Sequence, residues 1–166
     1  MQNVKAIIDL FGGLGKLRHV RLEAPGFMPL VIEAVGTGPR GLPLVSVAHY
    51  YTQNGDLMRD PELTAEVGPG GSFHPVSFTQ DNVGAYHEAV SVDGAGRVVV
   101  RPQVLKDLAS FARQWDRNLR AQGFLDAARA AVRAAGCDGH LVKPLDPDLL
   151  HDLLRRRRAE KQEAPC

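Results

Sequence analysis

Cysteine is nearly missing from this 166-residue chain: Cys137 and Cys166 are the two present. Two thiols cannot build the disulfide framework of a small secreted domain, so a reducing cytoplasm is the expected setting. No Cys-x-x-Cys pair or Cys/His spacing of a structural zinc site occurs. Long apolar runs are missing too, and none approaches the roughly twenty residues that cross a bilayer. The N-terminal MQNVKAIIDLFGGLG has one Lys and places Asp9 inside its apolar stretch, which does not fit a secretory leader. Aromatics are sparse at 6%, with Trp115 the single tryptophan. An excess of charge is also lacking: 20 Lys/Arg against 19 Asp/Glu leave a net charge of +1, which singles out neither nucleic acid nor a membrane surface. The distribution is uneven, however. Residues 1–100 carry 7 basic and 10 acidic side chains, and residues 101–166 carry 13 and 9. An acidic body with a basic helical end follows.

What is present is a change of period along the chain. Val4, Ile7, Ile8 and Phe11 share one helical face, and Gly12-Gly13 stop it. Alternation of period two then marks strands near 20–23, 30–35, 42–51, 62–67, 74–79, 85–92 and 97–100. Asn54-Gly55 and Asp93-Gly94 are hairpin turns by composition. Asp60-Pro61 is expected to close a turn, because the residue before proline is pushed to an extended conformation. No crossover helix lies between the strands, so the sheet is predicted to be mainly antiparallel. After Pro102 the period becomes helical, with Leu105, Leu108, Phe111 or Ala112, Trp115 and Leu119 on one face and Gly123 as the stop. Helices are also predicted over 124–135 and 146–158. The expected fold is α+β: a curved, mainly antiparallel sheet of about six strands packed on a long amphipathic helix, with a helical C-terminal tail. The expected division is an α+β domain over 1–123 and a helical extension over 124–166. Trp115, Leu108 and Phe111 are expected against the strand face carrying Val31, Val45 and Val47, or its alternate.

Two stretches carry resemblances. "FMPLVIEAVG" at 27–36, "SVAHYYTQNGDLMRDPEL" at 46–63, "PVSFTQDNVGAYHEAV" at 75–90 and "LKDLASFARQWDRNLRAQGF" at 105–124 together resemble an uncharacterised bacterial domain family. That family is met on plasmids, phages and integrative elements. The resemblance implies a mobile-element setting and no particular reaction. Separately, "AARAAVRAAGCDGHLVKPLDPDLLHDLLRRR" at 127–157 is similar to the end of a two-component receiver domain. That likeness would make Lys143 the phosphoryl-contacting lysine. Residues 1–100 do not supply the acidic pair and phosphoacceptor order of a receiver.

The plainest reading of 46–63 is a strand, a turn, a loop and a returning strand with no further role. Beyond that, the stretch carries two functional readings. In the first, the hairpin displays Tyr50, Tyr51, Gln53 and Asn54 to a partner. Gln80 and Asn82, in the polar loop before Gly84, would join that surface. In the second, His49, Asp56, Asp60 and Glu62 form a catalytic group. Asp56, Asp60 and Glu62 would be oxygen ligands for a divalent metal, with His49 as ligand or base, as phosphoester hydrolysis requires. The leading expectation is a non-enzymatic accessory protein that binds a protein or nucleic acid. The alternative is a small metal-dependent phosphoesterase or nuclease. No cofactor is expected beyond that possible divalent metal, and whether the chain is an enzyme stays open. Arg155, Arg156, Arg157 and Arg158 could make weak phosphate contacts.

Overall fold

The structure, a computed structural model, describes residues 1–135. The predicted helix at 146–158, Lys143, both cysteines and the Arg155–Arg158 run lie outside the described residues.

The architecture is α+β. Helix α1 (Gln2–Leu10) precedes six strands: β1 (His19–Leu22), β2 (Leu30–Thr37), β3 (Pro43–Gln53), β4 (Asp56–Val67), β5 (Phe73–Gln80) and β6 (Ala85–Glu88). They form one antiparallel sheet in chain order. A separate hairpin follows, β7 (Val90–Val92) with β8 (Val98–Val100), then α2 (Pro102–Ala121) and α3 (Phe124–Ala134). No helix of the described chain is long and apolar enough to cross a membrane.

Alternation along the strands sorts the sheet into a core face and an open face. Ile32, Val45, Val47, Leu63 and Val67 point to the core, where they meet Val4, Ile7 and Ile8 of α1, Ala112, Trp115 and Leu119 of α2, and Phe124 and Ala128 of α3. All three helices therefore cover the same face. Phe124, which opens the expected extension, is fully buried in the core of the sheet domain. Across the open face the register lines up Arg21, Val31, Ala48, Glu62, Thr79 and Tyr86 in one row. His19, Glu33, Ser46, Thr64, Ser77 and Glu88 form the next. Val31 thus sits on the face opposite Val45 and Val47, because it pairs with Ala48 while Ile32 pairs with Val47.

Two local expectations are corrected. Asp60-Pro61 does not close a turn; β4 runs through it from Asp56 to Val67. Two residues of β4 stand opposite one of β3 at this point, which is a bulge, and a bulge tolerates a proline that donates no ladder bond. The run 85–92 is not one strand. It breaks at Ala89, whose N–H turns to the Val76 carbonyl at 2.8 Å. Loop 38–42 closes over a buried acid. Glu66 is fully buried beneath it, accepting the Arg40 N–H at 2.6 Å and an Arg40 guanidinium N–H at 2.9 Å. A Cβ at Gly38 would stand 2.4 Å from Glu66 Cγ, so the loop can close over the carboxylate only with glycine there.

Candidate functional site

The β3–β4 hairpin turns at Asn54-Gly55 with φ of 54° and 91°, both in the left-handed region that a two-residue hairpin needs. Below the turn, Tyr50 pairs with Arg59 and Ala48 pairs with Glu62, so the extra residue of the bulge lies among Asp60, Pro61 and their partner His49. The bulge separates the residues singled out from sequence onto different sides of the sheet.

His49 points into the core. It is 6% exposed, its ring centroid lies 5.6 Å from those of both Trp115 and Phe124, and its Nδ1 is 3.0 Å from the Pro29 carbonyl. A carbonyl only accepts, so Nδ1 carries the hydrogen. Burial holds the imidazole below its ordinary pKa of 6.5, against the opposing pull of the Pro29 carbonyl and the Asp60 charge. The unfolded chain therefore takes up a proton that the folded chain declines. Stability is full above about pH 6.5 and falls as the pH drops from there through the folded value. Thermal melts followed by circular dichroism across that range are expected to show the fall, and His49→Gln is expected to flatten it.

The acids lie elsewhere. Glu62 faces the open side, where it accepts the Ser46 hydroxyl at 2.7 Å and an Arg59 N–H at 3.4 Å. Asp60 accepts the Gln80 amide at 2.7 Å and the Asn82 amide at 3.5 Å. Asp56 stands at the exposed hairpin tip, paired in register with Gln53. His49, Asp56, Asp60 and Glu62 are therefore not gathered at one point. Among the described residues no group of three or more His, Cys, Asp or Glu is placed to hold a metal ion.

Instead, two distant motifs meet. A short 3-10 turn, Asp81–Val83, follows β5 and brings Asp81 against Arg59. Asp81 Oδ2 accepts the Arg59 backbone N–H at 2.8 Å and its Nε–H at 2.9 Å, and Oδ1 accepts from Nη2 at 2.9 Å. This fork-on-fork pairing is the stronger, oriented kind of ion pair. It holds the Asp81 carboxyl below the usual carboxylate range and raises the Arg59 guanidinium. Tyr50, half-buried beside the network, has its hydroxyl pKa raised by burial first and then by Glu62 and Glu33. Tyr51 stays near the hairpin tip, donating to Gln53 at 3.3 Å.

Around this latched polar centre stand large exposed apolar side chains: Leu57 at 66%, Val83 at 66% and Tyr86 at 62%. Leu57 precedes Arg59 on the same face of β4, Val83 shares the turn with Asp81, and Tyr86 pairs with Thr79. All three lie at the hairpin end of the sheet. Asp81 is singled out from sequence only as a member of the polar loop 80–82, and Arg59, Leu57 and Val83 are not singled out. Arg59 and Asp81 carry no local pattern that announces a pairing across 22 positions. Leu57 could have been found as an apolar residue placed just past a hairpin turn. Two concavities flank the sheet, the first at the β1–β2 loop on this same end. One of about 390 Å³ is lined by Glu23, Ala24, Pro25, Phe27 and Pro29. Another of about 310 Å³ lies between α1 and the Gly68–Phe73 loop.

Fold and site define an α+β domain with helices on one face of an antiparallel meander and a rigid polar-apolar hairpin end. The chain belongs to the family described as a domain of unknown function, DUF6908, whose model matches residues 2–125. No curated protein and no solved structure matches it.

Proposed function

We propose that this chain is a non-enzymatic binding protein that recognises another protein through the hairpin end of its sheet. The observation that carries this is the exposed trio Leu57, Val83 and Tyr86, set around an ion pair whose members already satisfy one another. Buried apolar and aromatic anchors beside satisfied polar groups are what protein interfaces use. The bulge and the Arg59–Asp81 fork fix the two turns to each other, so the surface is presented with little ordering cost. Tyr50, Gln53, Asn54 and Asn82 would supply its polar rim, while Gln80 orients Asp60 beneath it.

Nucleic acid is the poorer fit at this end, where Asp56, Asp60, Glu62 and Asp81 outnumber Arg59 and would repel phosphates. Metal-dependent phosphoester hydrolysis is also less well supported. Asp60 and Glu62 already accept protein donors, and His49 faces the helices. The mobile-element setting that the resemblance implies suits a small accessory binder.

The test is co-purification from the native host with the wild type and a Leu57→Glu/Val83→Glu double variant. A stoichiometric protein partner is expected, depleted at least tenfold by the variant, about 1.4 kcal/mol of binding, with the melting temperature unchanged. A partner retained equally by the variant would remove this surface. A melting point raised by Mn²⁺ or Mg²⁺, and no longer raised in Asp60→Ala, would put the metal-dependent enzyme in its place.

A further inference from the structure

The β7–β8 hairpin lies outside the six-stranded sheet. Its ladder can be followed bond by bond. Asp93 N–H donates to the Arg97 carbonyl at 2.9 Å, and Arg101 N–H donates to the Ala89 carbonyl at 2.8 Å. Antiparallel ladders alternate between hydrogen-bonded and non-bonded pairs. The intervening pairs, Val92 with Val98 and Val90 with Val100, are therefore non-bonded. Val98 and Val100 direct their N–H and C=O groups away from β7, and no strand of the described chain lies on that side.

The side chains on this edge are unusual for a free one. Val98, Val99 and Val100 are 45%, 40% and 40% exposed, and Val92 across the ladder is 50% exposed. Free edges are commonly blunted by lysine, proline, inward charge or a bulge. None interrupts this strand until Pro102, which has no N–H and starts α2. The strand is bracketed by cations. Arg97 is held by Asp93 at 2.8 Å, whereas Arg101 donates to the Glu88 carbonyl at 3.1 Å and forms no ion pair among the described residues.

We propose that β8 is a docking edge to which an extended segment of another protein adds as an antiparallel strand. The segment would carry β-branched or apolar residues at its centre and an acidic residue at the end that meets Arg101. Main-chain hydrogen bonds to Val98 and Val100 would bind it, the exposed valines would be covered, and Arg101, which has no carboxylate partner among the described residues, would select the charge. A second copy of this chain is the poorer occupant. Antiparallel self-pairing centred on Val99 sets Arg97 of each copy opposite Arg101 of the other, and like charges directly opposite destabilise a ladder. This inference does not depend on the hairpin-end surface.

The experiment titrates the full-length, ¹⁵N-labelled protein with two blocked heptapeptides, Glu-Glu-Val-Thr-Val-Glu-Glu and Lys-Lys-Val-Thr-Val-Lys-Lys. The acidic probe is expected to shift the Val98 and Val100 amides and to bind at least tenfold more tightly than the lysine probe. Arg101→Glu is expected to narrow or reverse that preference, and Val98→Lys to weaken both probes. Equal binding of the two probes, or shifts that miss β8, would overturn the proposal. So would a dimer in sedimentation velocity that Val98→Lys disperses, since it would assign the edge to a second copy.

Discussion

Trp115→Ala is expected to lower the melting temperature by about 10 °C, the consequence of losing roughly 3–5 kcal/mol at a buried large aromatic. The indole is 6% exposed and lies between the helix layer and the sheet, its ring centroid 5.5 Å from that of Phe111 and 5.6 Å from that of His49. Removing it takes away the transfer free energy of the ring and leaves a void beside His49 and Phe111. Because Trp115 is the single tryptophan, unfolding must be followed by far-ultraviolet circular dichroism. Trp115→Phe keeps part of the ring volume and is expected to lose less than half as much. A second readout ties the site to its neighbour. The void lets water reach His49, whose pKa then moves back toward its ordinary value, so the acid-side loss of stability should shrink in Trp115→Ala. A melting point within error of the wild type would mean that α2 does not clamp the sheet through this residue.

The second large effect is expected at Asp116. This side chain is 7% exposed, on α2, and its carboxylate accepts the backbone N–H groups of Asn3 at 3.1 Å and Val4 at 3.1 Å, with the Asn3 amide also at 3.1 Å. These are N–H groups of the first turn of α1, which has no capping side chain of its own. One helix thus caps another, and the carboxylate also meets the positive end of the α1 dipole. Asp116→Ala removes the acceptor and leaves buried donors without one, at a cost of about 2–4 kcal/mol. Guanidinium unfolding should show a lower midpoint with an unchanged slope, because the denatured state is not altered. Asp116→Asn keeps one acceptor oxygen and loses the charge, and is expected to fall between the two. Were Asp116→Ala to match the wild type, α1 would owe its position to Val4, Ile7 and Ile8 alone.

The periodic elements were legible because each reports a local repeat. α1 followed from Val4, Ile7 and Ile8, α2 from Leu108, Trp115 and Leu119, and the β3–β4 hairpin from Asn54-Gly55. Where reading failed, a second chain segment made the decision. Val31 and Val45 look equivalent as apolar strand residues, but the β2–β3 register places them on opposite faces. Asp60-Pro61 reads as a turn until a bulge opposite His49 absorbs it. His49 reads as a possible base until Trp115 and Phe124 enclose it. Glu66 and Asp116 carry no mark of burial in the amino-acid order, yet both are buried by partners that arrive from loop 38–42 and from α1.

Composition and period alone determined that this chain is an α+β domain with a mainly antiparallel sheet and a long amphipathic helix. Backbone geometry imposes those repeats on whichever residues face the core, so they can be counted along the chain. Which carboxylate meets which donor was decided only in three dimensions: Asp60 with Gln80, Asp81 with Arg59, Glu66 with Arg40, Asp116 with Asn3. A polar side chain reaches its partner through space set by register, bulge and helix docking, and none of these leaves a periodic mark in the amino-acid order.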